Sequence, residues 1–173
     1  MGNLTRQAVA LANLAAIAAR RGDGATAAAH GEHAIELQRA NGDLDGMVVS
    51  LANLGRVRLA LGDDNGARAA LHEFFELGLR LEYRMLLAYL LSAAAELARR
   101  GGAPEDSAGL VGAGAALFEA IGMAIPQEEI DEHERTLTPL REPLGDDAVA
   151  RLVAEGREAP VDGMIERALE FTL

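Results

Sequence analysis

The stretch Leu11-Ala12-Asn13-Leu14 returns forty residues later as Leu51-Ala52-Asn53-Leu54. At the same shift Gly22-Asp23 returns as Gly62-Asp63, Ala27 as Ala67, and Glu36-Leu37 as Glu76-Leu77. A fainter third copy puts Leu91 under Leu51, Gly102 under Gly62 and Leu117 under Leu77. A repeat of this length is one supersecondary unit that cannot bury its apolar face alone, so copies must stack. Each unit reads as two helices. Apolar residues recur at helical spacing through Val9, Leu11, Leu14, Ile17 and Ala18. Alanine and leucine are strong helix formers, and no proline intervenes before Pro104. Gly22-Asp23-Gly24 ends one helix and starts the next, glycine as terminator and aspartate as N-cap. The second helix carries Ala27, Ala34, Ile35 and Leu37 and ends near Asn41-Gly42, where Asp43 opens the next unit. Gly62-Asp63-Asp64 and Gly101-Gly102-Ala103-Pro104 are the equivalent turns, and no alternating segment of useful length suggests a strand.

Small residues stand at matching places, Ala15 with Gly55 and Ala27 with Ala67, where they let paired helices approach closely. Gly109, Gly112 and Gly114 make the second helix of the third unit either the least regular or a seat for a close neighbour. Beyond about residue 122 the pattern changes. Pro126 starts a charged helix, Pro139 and Pro143 bend or end it, and Asp146 or Asp147 caps a short helix that Gly156 ends. Pro160 to Leu173 reads as a last amphipathic helix. From residue 126 onward there are 13 acids against 5 arginines, a net −8 within a chain of net −11. The domain reading is therefore repeats over 1–121, in units of about 3–42, 43–81 and 82–121, followed by an acidic helical cap over 122–173. Such a cap gives the last repeat a polar outer face.

Composition removes several function classes. The chain has no cysteine, so disulfides, thiolate catalysis and cysteine-held metals are excluded. Every base is arginine, so P-loop, Schiff-base and general-base lysines are excluded too. The acidic balance argues against direct nucleic acid contact. No run reaches the roughly 18 apolar residues of a membrane span. The start, Met1-Gly2-Asn3-Leu4-Thr5-Arg6, is unlike a signal peptide, so the cytoplasm is the expected compartment. His30 and His33 share a helix face but lack a third ligand, and they read as solvated helix histidines. The acids from Glu128 to Glu134 lack a calcium-loop glycine and read as a solvated helix face. Phe74, Phe75, Phe118 and Leu71 read as core. No set of converging polar groups suggests an enzyme, and no cofactor or metal is expected.

The pairs Leu14-Ala15 and Leu54-Gly55, with Ala27 and Ala67, resemble the tetratricopeptide repeat, which joins such a pair in its first helix to a small residue early in its second. The resemblance implies an all-α fold: a tetratricopeptide-like α-α superhelix of three helical hairpins plus C-terminal capping helices. It also implies that the first helix of each unit lines a concave groove. Asn13 and Asn53 lie on that helix, and an amide offers the donor and the acceptor that an extended peptide backbone needs. Helical spacing sets Ala16, Arg20, Arg56 and Leu59 on the same side, with Tyr89, Ser92, Glu96 and Arg99 in the third unit. The candidate partner-binding residues are thus Asn13, Arg20, Asn53, Arg56, Tyr89, Ser92 and Arg99, the arginines suited to a carboxylate. The alternative for the asparagines is a cap or bridge between neighbouring helices.

Downstream, Pro126, Glu134-Arg135, Leu140-Arg141, Leu144-Gly145 and Ala154-Glu155-Gly156-Arg157 resemble the ends of large bacterial transcriptional regulators. Those regulators combine an ATPase and a LuxR-type or winged-helix DNA-binding domain with MalT-like repeats at the C-terminus. The resemblance implies a sensing or interaction region. Without lysine there is no Walker A motif, so the ATPase and DNA-binding activities do not carry over. The function expected is a non-catalytic protein- or peptide-binding repeat module of a cytoplasmic bacterial signalling protein. A structural homo-oligomerisation module is the alternative, with its groove empty or filled by residues 160–173. Exposed ends of a repeat stack suit a homodimer.

Overall fold

The computed structural model describes residues 2–172, and every regular element among them is helical. Six long helices come first: α1 (Asn3–Arg20), α2 (Gly24–Asn41), α3 (Leu44–Ala60), α4 (Asp64–Arg80), α5 (Arg84–Arg100) and α6 (Pro104–Ala120). The residues between them form one recurring turn. Positive φ falls at Gly22, Gly42, Gly62, Glu82, Gly102 and Gly122, one left-handed residue in every twenty. The next residue's N–H then donates to the carbonyl five residues back: Asp23 to Ala18, Asp43 to Gln38 and Asp63 to Arg58, at 2.9–3.0 Å. Tyr83, Ala103 and Met123 make the same bond to Gly78, Ala98 and Phe118. This is the Schellman closure, which satisfies carbonyls that a helix end leaves free. Glycine enters the left-handed region without steric cost; Glu82, at φ 57°, is the one turn residue that does so with a side chain.

Aspartate then opens the next helix. The carboxylates of Asp23, Asp43 and Asp63 accept from the N–H groups of Thr26, Gly46 and Gly66 at 3.0–3.1 Å. The third hairpin lacks this device, since Tyr83 and Ala103 supply no capping side chain. That matches the fainter third copy in the sequence.

The helices form two compact units, Met1–Leu77 and Gly78–Leu173, with the boundary inside α4. In the first unit α1 pairs with α2, and α3 packs on α2. Its core holds Ala8, Ala15 and Ala18 of α1, Ala34 and Ile35 of α2, Met47, Val48 and Leu51 of α3, and Leu71, Phe74 and Phe75 of α4. Gly55 works as its small size suggests: a Cβ there would lie 2.6 Å from Leu71 Cδ2.

In the second unit α5 pairs with α6. Beyond them come α7 (Gln127–Leu137), a 3-10 turn (Thr138–Leu140), α8 (Arg141–Leu144), α9 (Asp146–Glu158) and α10 (Val161–Glu170). The reading of Leu173 as part of the last helix lies outside the described residues. α9 packs along α6, α7 rests on α5, and α10 touches both α5 and α6. Leu140 and Val149 bury against Ala108, with Leu137, Leu144, Leu152 and Val153 around them.

One expectation about glycine is overturned here, and another resolves to one of its two alternatives. Gly156 does not end α9, which continues to Glu158. The glycines of α6 leave it a regular helix of 17 residues, and what they provide is close packing. A Cβ on Gly112 would strike the Val153 carbonyl oxygen, and one on Gly156 the Gly109 carbonyl oxygen. The two backbones thus touch where no side chain intervenes. Arg157 to Glu119 at 2.5 Å, and Arg167 to Asp106 at 2.6 Å, tie α9 and α10 to α6 at its rim.

Candidate functional site

The first unit contains a hollow of about 280 Å³ between its leading hairpin and α3. From α1 come Ala12, Ala16, Ala19 and Arg20; from α2, Ala27 and Gly31. From α3 come Ser50, Asn53, Leu54, Arg56 and Val57. The walls are short because the α1 and α2 residues facing inward are nearly all alanine or glycine, and such residues leave space where leucine would fill it. Asn53 and Ser50 are three apart, so they stand on one face of α3. Both charged lining residues are arginines, and no acid lines the hollow.

Of the seven sequence candidates, Arg20, Asn53 and Arg56 meet at this hollow. Ala16, placed on the same side from helical spacing, lines it as well, whereas Leu59 is buried away from it. Asn13 has the register of Asn53 but is exposed on α1, the first helix, and does not line the hollow. The residue beside it shows the reason: Leu54 is 7% exposed and its equivalent Leu14 is 46% exposed. The α3 side that bears Asn53 and Leu54 is met by the hairpin ahead of it, with Leu54 Cδ1 3.6 Å from where a Gly31 Cβ would stand. Ser50 was missed by the sequence reading. It is 4% exposed, and its Oγ makes no hydrogen bond among the described residues. Its one visible signal is position, a turn before Asn53 on the same face.

Tyr89, Ser92 and Arg99 lie in the second unit and are engaged within it. Tyr89 is half-buried, edge-on to Phe118 with ring centroids 4.9 Å apart. Arg99 donates two 2.7 Å hydrogen bonds to Glu96, which also accepts from Arg100. Burial alone would push the Glu96 carboxyl up, but the two arginines outweigh it and hold it below its ordinary value. Ser92 is buried under α7 rather than open to a groove. Its hydroxyl donates to Glu129 Oε2 at 3.0 Å and lies 3.0 Å from His133 Nε2.

The solvated reading of the acids from Glu128 to Glu134 is corrected at Glu129. Glu129 is 2% exposed and His133 8%, because α7 turns them onto α5. Burial lowers the imidazole's pKa, partly offset by Glu132. With the serine proton given to Glu129, the imidazole must donate from Nε2 to Ser92 Oγ. The serine therefore sits between a carboxylate and an imidazole. A nucleophilic triad needs the reverse order, with the imidazole placed to take the serine's proton. The geometry here is a latch holding α7 on α5.

Among the described residues no three histidines or acids converge to hold a metal, and no helix is long and apolar enough to cross a membrane. No protein-family model, curated protein or solved structure matches the chain.

Proposed function

We propose that the chain is a non-catalytic peptide-binding repeat module of tetratricopeptide type, the C-terminal interaction region of a bacterial transcriptional regulator. The supporting observation is the meeting of Arg20, Asn53 and Arg56 around one alanine-walled hollow in the first unit. The amide serves the backbone of an extended segment, and the guanidinium groups serve its carboxylates. The regulator assignment rests on the C-terminal motif. Several of its residues have local roles here: Arg141 pairs with Glu134 at 2.8 Å, Leu140 is buried, and Gly145 turns the chain into α9 at φ 85°.

Peptides selected from a random display library on the immobilised chain provide the test. Asn53→Ala should weaken the selected peptides about tenfold, as expected when the bound backbone loses the donor and acceptor of the amide. Asn13→Ala, on the exposed side of α1, should leave them unchanged. Both variants should melt with the parent. Selected peptides that ignore Asn53→Ala would place binding elsewhere and defeat the proposal.

A further inference from the structure

In the first unit a hollow lies beside α1; in the second, the corresponding side of α5 is covered by the chain itself. Ser92 and Glu96 stand eighty residues after Ala12 and Ala16, two of the residues that line the hollow. The surrounding helices correspond as well: α5 pairs with α6 as α1 does with α2, and α9 packs along α6 as α3 does on α2. The helix laid over this side of α5 is α7, which touches α5 and α6 and leaves Ser92 only 3% exposed.

The fastening of α7 is polar. Its buried side chains are Glu129, His133 and Thr136. Ser92 joins two of them, donating to Glu129 Oε2 and accepting from His133 Nε2, each at 3.0 Å. Of the two large apolar residues in α7, Ile130 is 46% exposed, and Leu137 stands at the last position, against the cluster of Leu140 and Val149. An intramolecular hydrogen bond replaces one to water and nets little, whereas packing of an apolar face is what holds most helices in place. α9 has such a face, in Val149, Leu152 and Val153. The connection from α6 is non-helical over 123–126, so α7 can swing about its Leu137 end without unwinding α6.

We infer that α7 is a strap: it covers the second unit's counterpart of the hollow, and it lifts from α5 while α5, α6 and α9 stay folded. Lifting opens the Ser92 face of α5 to a partner. That this face is a second binding surface rests on the peptide-binding reading; the strap itself rests on the packing of α7. An opening of this kind is a sub-global unfolding step, which native-state exchange resolves helix by helix.

Hydrogen exchange followed by mass spectrometry on the parent chain tests the strap directly. Amides of α7 should exchange at least about tenfold faster than those of α9, the closing helix with an apolar face. Thiol reactivity tests what the strap covers. The chain has no cysteine, so Ser92→Cys and Ser107→Cys each introduce a single thiol, one under α7 and one at the fully buried start of α6. With Ellman's reagent in native buffer, the thiol of Ser92→Cys should react at least about tenfold faster than that of Ser107→Cys. Equal exchange of α7 and α9 overturns the inference, and so do two thiols that react alike. The exchange measurement needs no variant, so it decides the matter if Ser92→Cys melts early. Library-selected peptides that ignore Asn53→Ala would defeat the peptide-binding reading and leave the exchange contrast standing.

Discussion

At the scale of single residues, the sharpest consequence concerns His133. Its imidazole stays below the ordinary value of 6.5 because burial penalises the charged ring. In the unfolded chain the ring is hydrated and takes a proton more readily, so the unfolded state gains protons first as pH falls. Stability is therefore complete above about pH 6.5 and declines as pH drops through it. Thermal melts at stepped pH should show this decline in the parent. His133→Gln, which retains an N–H donor and cannot charge, should flatten that step. An identical decline in the variant would show that another group is responsible. The lowered carboxyls of Glu96 and Asp23 act in a separate window, below their ordinary values of 4.5 and 3.8. At this scale the sequence was only half legible. Ser92 could be assigned to a helix face, yet nothing in its neighbours announced that Glu129 and His133, 37 and 41 residues away, would cover it.

At the scale of elements, the crossing of α6 and α9 depends on absent side chains. A methyl group at Gly112 or Gly156 meets backbone carbonyl oxygen, which cannot swing aside as a flexible side chain does. Gly112→Ala and Gly156→Ala should each cost about 2–3 kcal/mol despite the better helix propensity of alanine. Gly163 in α10 has nothing within 4 Å of its added Cβ, so Gly163→Ala should stabilise by about 0.5–1 kcal/mol. Urea midpoints of the three variants check the contrast; equal shifts would mean the crossing is looser than described. The glycines of α6 could be read as a seat for a neighbour, but composition alone could not distinguish that from an irregular helix. The choice belongs to α9, whose own Gly156 completes the contact. The helix-ending role read for Gly156 failed for the same reason, since a glycine that packs and a glycine that stops a helix look identical in one dimension.

At the scale of the whole molecule, the forty-residue repeat makes equivalent residues unequal according to their place in the series. Leu54 is enclosed and Leu14, its equivalent on the first helix, is largely open. Leu54→Ala should therefore cost about 2–4 kcal/mol, and Leu14→Ala under about 0.5 kcal/mol. Denaturant titrations of both variants measure the difference, and a large loss at Leu14 would show that α1 is covered. The six long helices, their glycine turns and the caps at Asp23, Asp43 and Asp63 could be read in advance, because each is settled within a few residues by glycine, aspartate and the spacing of leucine and alanine; the cap expected from Asp146 or Asp147 was not found, since Gly145 is the N-cap of α9 and no side chain caps it. The helix class of this protein and its twenty-residue beat thus follow from local chemistry. Which asparagine reaches the hollow, where Ser50 stands, and how α7 closes over Ser92 were decided by tertiary structure alone. Those features depend on which surfaces meet, and identical local patterns acquire different neighbours once the chain has a first helix and a closing one.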